Sequence, residues 1–156
     1  MTGTPLDFPA RPPSEVEWEE LLVRLEITPR ALRLAVDDAG GDSAELREVL
    51  ESALGREWWH GQQLRELRGG APVMLSEASL DIDRDGREPG VDGLAAAFAQ
   101  LRERNFAQVQ RRGLEVWDWE SPVVGLPGTL TAYRLLQWMA HRDGETLAAV
   151  RSAGRG

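Results

Sequence analysis

Apolar residues recur every three or four positions over four long stretches of the chain, and this period predicts four amphipathic α-helices. The first begins at Ser14, which stands with Glu17 at the spacing of a capping box. Pro29 predicts a kink in this helix or a restart with Thr28 as N-cap, because proline lacks a backbone donor. The Gly40-Gly41 pair is predicted to end it.

Three more helices follow with the same period, at about Ser43–Arg68, at about Val91–Arg112, and from near Thr129 to about Val150. The polar stretch from Gly69 to Gly90 predicts a long crossover between the second and third helices. Residues 114–128 are predicted to form an irregular link. Four amphipathic helices of this length predict an all-α protein with the architecture of a four-helix bundle.

The two ends of the chain lack this period. Residues 1–13 contain four prolines and predict a disordered leader, and the polar residues 151–156 predict a flexible tail. One bundle domain is therefore expected over residues 14–150, a size at which a chain buries most of its surface.

Composition narrows the chemistry that this domain can perform. The chain has no cysteine, which excludes disulfides, cysteine-ligated zinc and a thiol nucleophile. All 18 lysine-or-arginine positions are arginine, so mechanisms that need lysine are excluded too. The net charge of −8 argues against a nucleic-acid partner, which requires a concentrated basic face. Without a membrane-length apolar run or a targeting segment, we expect no membrane partner and a cytoplasmic location.

Four segments, in order along the chain, are similar to the signatures of a known family. They are EVLESALGRE at 48–57, the run from Phe98 to Arg104, GTLT at 128–131 and HRDGETLAAV at 141–150. In this order they resemble the helix signatures of the DinB/YfiT-like superfamily of small bacterial helical bundles. The resemblance covers nearly the whole chain after residue 13, and it implies the DinB-like four-helix bundle.

Members of the superfamily typically hold a divalent metal ion with three histidines, one on the second helix and two at i and i+4 on the last. The resemblance therefore implies a zinc, nickel or iron-like cofactor and a low-molecular-weight thiol as co-substrate. It also implies an association with stress or DNA damage and a homodimer. Glycines inside the predicted helices, Gly55, Gly61 and Gly144, likewise indicate close approach of a neighbouring helix or of a second copy.

This chain departs from the family at all three ligand positions. When the chain is aligned with these family signatures without gaps, Ser52 takes the place of the histidine on the second helix. Arg142 and Thr146 take the places of the two histidines on the last helix. Hydroxyl groups are poor ligands for a zinc-like ion, and a guanidinium repels it. Glu57 and Asp143 keep the pattern around the site. These five residues are the candidate pocket, and the sequence predicts that it binds no cofactor.

A shifted metal site is the first alternative. His141 and Glu145 keep the i, i+4 spacing, but they share a helical face that is otherwise polar, which favours a solvated pair. His60 lies on the apolar stripe of the second helix, three residues after Glu57. Such acid–imidazole pairs hold metals in bundles that supply two copies of the motif and further glutamates, whereas this chain has one copy.

A calcium loop is the second alternative. Asp81, Asp83, Asp85 and Asp92 fit a D-x-D-x-D-G pattern, in which carboxylates two residues apart converge on the cation. Aspartate replaces the usual glutamate at the twelfth position, and Pro89 stiffens the ninth. A solvated acidic crossover is therefore the competing interpretation.

These patterns leave three functions open. Loss of the ligands with retention of the scaffold favours a non-catalytic bundle that binds a partner or serves as a dimer scaffold, rather than an enzyme. The alternatives are a divalent-metal-dependent thiol S-transferase or hydrolase with a shifted ligand set, and a calcium-binding bundle through 81–92.

Overall fold

The computed structural model describes residues 3–75, 90–110, 116 and 119–154. The α-helices in these ranges are α1 (Glu15–Ala39), α2 (Ala44–Gly69), α3 (Val91–Gln110) and α4 (Ala132–Ala153). A two-stranded antiparallel sheet pairs β1 (Glu120–Pro122) with β2 (Thr129–Thr131). The predicted all-α four-helix bundle is confirmed.

The first two helices begin and end at the residues that their capping signals predict. The Ser14 hydroxyl accepts from the Glu17 N–H and the Glu17 carboxylate accepts from the Ser14 N–H, which forms the predicted capping box. At the start of α2 the Ser43 hydroxyl accepts from the Leu46 N–H, a single cap without the reciprocal bond. Gly40 and Gly70 follow the two helices with φ of 77° and 70°. This left-handed conformation is strained for residues with a Cβ, so glycine ends both helices.

Two apolar clusters form the core, one in each half of the bundle. The first joins the beginnings of α1 and α4 to the ends of α2 and α3, and it includes Trp18 and Leu64. The second joins the opposite halves of the same helices and includes Leu32 and Leu46. It follows that α1 and α4 run in one direction while α2 and α3 run in the other.

The helices pack around a square in which α1 and α2 both contact α3 and α4. Accordingly, α1 and α2 lie diagonally across the bundle. Because α2 ends in the first cluster and α3 begins in the second, the chain between them joins opposite ends of the bundle. The predicted crossover there includes residues 76–89, which lie outside the described residues.

The structure corrects the prediction for the start of the last helix. This helix begins at Ala132 with Thr131 as its N-cap, not near Thr129. The three residues before it form β2, which pairs with β1. The strand β1 lies inside the predicted irregular link, and β2 follows directly after that link. Leu130 in β2 is completely buried. Strands of three residues are too short to show an alternating pattern, so periodicity does not reveal them.

Regular structure is present near both ends of the described chain. Residues 3–13, expected to form a disordered leader, include a short 3-10 helix at Pro5–Asp7. The Phe8 carbonyl accepts a hydrogen bond of 3.0 Å from Arg134 on α4, so this segment is held against the bundle. At the other end, α4 continues to Ala153, within the predicted flexible tail.

Candidate functional site

A layer of buried polar side chains lies between the two apolar clusters. Glu57 on α2, Arg102 on α3 and Asp143 on α4 have exposed fractions of 1%, 2% and 8%. Glu57 and Asp143 are two of the five predicted pocket residues, and the structure brings them together. The pattern of the sequence does not single out Arg102, which lies between them.

Arg102 connects the other three helices. Its Nη2 donates to Asp143 Oδ1 at 2.7 Å and to Glu57 Oε1 at 2.8 Å. Its Nη1 donates to Asp143 Oδ2 at 2.9 Å and to the backbone carbonyl of Leu25 on α1 at 2.8 Å. The guanidinium carbon also lies 5.1 Å from the ring centre of Phe98, one turn earlier on α3. The Arg102 side chain on α3 therefore binds one polar group on each of α1, α2 and α4.

Pro29 explains why the Leu25 carbonyl can accept this bond. In a regular helix the carbonyl of residue 25 accepts from the N–H of residue 29, but proline has none. Arg102 supplies the donor instead. The predicted restart of α1 at Thr28 is wrong, because α1 is continuous and the Thr28 hydroxyl donates to the Arg24 carbonyl at 2.9 Å.

Asn105 supplies a neutral donor to the same layer. Its Nδ2 donates to Glu57 Oε2 at 2.9 Å and to the Glu57 carbonyl oxygen at 2.8 Å. A Cβ on Gly61 would lie 2.9 Å from Asn105 Cγ, so glycine is required where this amide meets α2. The predicted close approach of a neighbouring helix is therefore present at Gly61. At Gly55 and Gly144 no described atom lies within 4 Å of the Cβ position.

His60 lies beside Glu57 on the inward face of α2, as their spacing predicts. Both side chains are buried, and His60 Nδ1 is 3.9 Å from Glu57 Oε1. The carboxylate that His60 contacts is already bound by Arg102 and Asn105, so the imidazole belongs to the buried network. Among the residues that the structure describes, no group of three or more histidine, aspartate or glutamate side chains is arranged to hold a metal ion.

The charges of the layer set its protonation. Burial raises the pKa of Glu57, but the charge and hydrogen bond of Arg102, with a smaller effect of the neighbouring His60, outweigh burial and hold this pKa below its usual range. Burial lowers the pKa of Arg102, whereas Glu57 and Asp143 raise it above its usual range. Glu57 is therefore ionised at neutral pH and a weak base, which makes it a poor general-base catalyst.

The three positions aligned with the family's metal ligands meet at a separate surface pocket. Ser52 on α2, with Arg142 and Thr146 on α4, lines a cavity of about 430 Å³ together with three glutamates. Arg56 Nη2 donates to Thr146 Oγ1 at 2.8 Å, so a guanidinium spans the two helices there. Arg142 Nη1 donates to Glu145 at 3.2 Å. The five predicted pocket residues thus form two groups, one in the buried layer and one around this pocket, in which Ser52 is exposed and Thr146 is buried.

His141 and Glu145 form a partly exposed pair on α4. His141 Nε2 is 3.6 Å from Glu145 Oε1, and the two side chains are 39% and 53% exposed. The imidazole stacks on Trp138 with ring centres 5.7 Å apart, and it meets Phe8 at 6.2 Å. Arg142 approaches the same Glu145 carboxylate. Both side chains are partly exposed, and Arg142 brings a positive charge to the glutamate of the pair.

Most of the predicted calcium loop lies outside the described residues, including Asp81, Asp83 and Asp85. Asp92 is described, and it lies exposed in the first turn of α3. A carboxylate at this position interacts favourably with the positive end of the helix dipole.

Arg102 and Asn105 are the network residues that sequence reasoning misses. The helical pattern of α3 predicts Leu101 as the inward residue after Phe98, but Leu101 is half-buried and Arg102 is buried. One signal was available, since Arg102 follows Phe98 by four residues and so lies on its stripe. A charged residue on an apolar stripe, facing stripes that also carry carboxylates, indicates a buried ion pair.

Comparisons with known proteins found no match to this chain among protein-family models, curated proteins or solved structures. No described helix combines the length and the apolar character needed to cross a membrane. Function is therefore argued from the geometry of the two polar groups.

Proposed function

We propose that this chain is a non-catalytic member of the DinB-like family, a bundle that has kept the family scaffold, has lost the metal ligands and acts by binding. The observation that carries the proposal concerns Ser52, Arg142 and Thr146, which the alignment matches to three histidines. They line one pocket although they belong to helices far apart in the sequence. This convergence is what a replaced metal site requires.

The side chains at the three aligned positions are poor metal ligands. Glu45, Glu48 and Glu145 also line the pocket, but no three acidic or histidine side chains of the described residues are grouped to hold a metal ion. Serine and threonine hydroxyls are weak ligands, and the positive charges of Arg56 and Arg142 repel a divalent cation. The Thr146 hydroxyl is engaged as well, since it accepts from Arg56 and donates to the Arg142 carbonyl at 3.0 Å. Activation of a thiol or of water by a Lewis acid has no ligand set at this position.

The buried layer supports a structural role for the family residues that remain. Glu57 accepts from Arg102 and Asn105, and both carboxylate oxygens of Asp143 accept from Arg102. Asp143 also lines a groove of about 150 Å³ between α1 and α4, but neither of its oxygens is left without a donor there. Carboxylates bound in this way join α2, α3 and α4 to one another, which favours a structural role over a catalytic one.

The proposed role is binding, and the proposed partner is a second copy of the chain. Similar bundles commonly form homodimers, and the resemblance also supports an association with stress or DNA damage in the cytoplasm. The net charge of −8 argues against nucleic acid as the partner. A low-molecular-weight thiol would be a partner only of an enzymatic form.

Metal analysis of protein purified without a histidine tag tests this proposal. After dialysis we expect no stoichiometric transition metal and no change in melting temperature on adding zinc or nickel. His60→Ala and His141→Ala are the matched variants, because the chain has only these two histidines. Metal that wild type retains and either variant loses would contradict the proposal and support the S-transferase or hydrolase alternative.

Calcium is tested in the same assay. We expect calcium to leave the melting temperature unchanged in wild type and in Asp83→Ala, which lacks one carboxylate of the predicted loop. A melting temperature that rises with calcium in wild type only would instead support the calcium-binding alternative.

A further inference from the structure

Helix α1 carries a second apolar stripe, on the side opposite to the core. Val16, Val23, Ile27 and Leu34 are 62%, 53%, 55% and 57% exposed. Their spacings of seven, four and seven residues place them within a narrow arc of a helix with about 3.6 residues per turn. The stripe extends along about 27 Å of the helix. Four exposed apolar residues aligned on one face of a helix indicate contact with another molecule.

The stripe is symmetric about the level of Leu25. Val16 and Leu34 lie at equal distances on either side of this residue, and so do Val23 and Ile27. In an antiparallel pair of α1 helices with the Leu25 positions level, each valine faces Leu34 or Ile27 of the second copy. An interface with a two-fold axis requires such self-complementarity.

The charges beside the stripe are complementary in the same arrangement. Glu19 and Glu20 precede Leu25 by six and five residues, and Arg30 follows it by five. All three charged side chains are exposed. In the antiparallel pair the two glutamates lie level with Arg30 of the second copy, once on each side of the axis. A parallel pair in register would place like charges level with each other, which is unfavourable.

Small residues next to the stripe leave space for a second molecule. Gly144 on α4 lines a groove of about 150 Å³ together with Ile27, Ala31 and Leu147. No atom of the described chain lies within 4 Å of the Cβ position at Gly144. Glycine weakens a helix relative to alanine, and packing within the described chain gives no reason for it here. A side chain inserted by a second copy would give one.

We propose that the stripe is the surface on which a second copy of this chain binds, with the two α1 helices antiparallel around a two-fold axis at the level of Leu25. The choice of partner rests on the proposed function. The surface and the orientation rest on exposure, symmetry and charge. A membrane surface fits less well, because Glu19 and Glu20 flank the stripe as well as Arg30, whereas a lipid-binding helix carries a basic polar face.

Sedimentation velocity of single variants tests the surface. Wild type is expected to dimerise, and Ile27→Arg is expected to raise the dimer Kd at least about tenfold, since it places two like charges beside the axis. Val124→Arg is the matched control, because Val124 is 51% exposed between β1 and β2, away from the stripe. A dimer that persists in folded Ile27→Arg, or that is weakened equally in Val124→Arg, would overturn the proposal.

Exchange of the flanking charges tests the orientation without altering the apolar contacts. One protein carries Glu19→Arg and Glu20→Arg, and the other carries Arg30→Glu. Each alone brings like charges together and is expected to be monomeric, whereas an equimolar mixture is expected to form a heterodimer. Two folded variants that fail to associate when mixed would contradict the antiparallel pairing.

The outcomes distinguish this inference from the proposed function. A wild-type protein that stays monomeric would contradict both the proposed binding surface and the proposal that the partner is a second copy. A dimer that tolerates both the Ile27→Arg and the charge variants would overturn the surface alone. Neither result alters the expected absence of stoichiometric metal, which the metal analysis decides separately.

Discussion

Arg102 is 2% exposed, and its guanidinium binds one group from each of the other three helices. Transfer of a charge into the core is costly unless partners compensate it, and here two carboxylates do so. The net contribution of such a buried triad is small, but loss of a single member leaves uncompensated charge behind.

Replacement of Arg102 by methionine measures the cost of leaving two carboxylates buried without a cation. Arg102→Met leaves Glu57 and Asp143 buried without a cation and is expected to lower the free energy of unfolding by about 3–5 kcal/mol in urea titrations. The control is the triple variant Glu57→Gln, Arg102→Met and Asp143→Asn, which removes all three charges and should lose less. A triple variant less stable than Arg102→Met would contradict this explanation.

The low pKa of Glu57 predicts a stability that depends on acid pH. This pKa lies below the value of about 4.3 expected in the unfolded chain, so the unfolded chain binds the extra proton first as pH falls. The stabilisation is therefore complete above about pH 4.3 and is lost as pH falls through the folded pKa. Wild type should lose unfolding free energy more steeply below pH 4 than Glu57→Gln. If the unfolding free energies of wild type and Glu57→Gln fall equally steeply below pH 4, the low pKa of Glu57 is contradicted.

Individual site residues are predictable from the sequence where they interrupt an apolar stripe. Glu57 and His60 stand among the apolar positions of α2, and Asp143 stands among those of α4, so all three are expected to face inward and do. Arg102 is missed because a stripe shows which residues face inward but not which of them meet. Partner choice depends on tertiary contacts among four helices.

Single elements follow the sequence closely where local signals act alone. Ser14, Ser43, Gly40 and Gly70 place the ends of α1 and α2, because caps act within one turn. Pro29 is different, since the prediction of a kink or a restart takes only the missing donor into account. The Arg102 side chain, distant in the sequence, satisfies the Leu25 carbonyl and lets α1 continue.

The contact between α2 and α3 gives a prediction at this scale. Gly61→Ala would push a methyl group into the Asn105 amide and disturb its bonds to Glu57, with an expected loss of about 1–3 kcal/mol. Gly55→Ala on the same helix is the matched control, because its Cβ position is open. It should gain up to about 1 kcal/mol from helix propensity. Equal changes in the free energy of unfolding for Gly61→Ala and Gly55→Ala, measured by chemical denaturation, would contradict the close approach of Asn105 to Gly61.

For the whole molecule, periodicity predicts the four helices and their inward faces, since burial of one stripe per helix is the dominant requirement of a bundle. It does not predict the sheet that joins α3 to α4, whose strands are too short to carry a pattern. Nor does it show that Ser52 on α2 and Thr146 on α4 share a pocket, because that depends on how the helices pack.

The central claim is that this pocket is a metal position whose ligands have been replaced. A variant with Ser52→His, Arg142→His and Thr146→His restores three imidazoles, and Arg56→Ala removes the guanidinium between the two helices. Arg56→Ala alone is the control.

Calorimetric titration with zinc is the most direct measurement of this claim. We expect the quadruple variant to bind about one zinc ion per chain, the number that three histidines on two helices can hold, and wild type and Arg56→Ala to bind none. Stoichiometric binding by wild type, or a folded quadruple variant that binds no zinc, would contradict the claim.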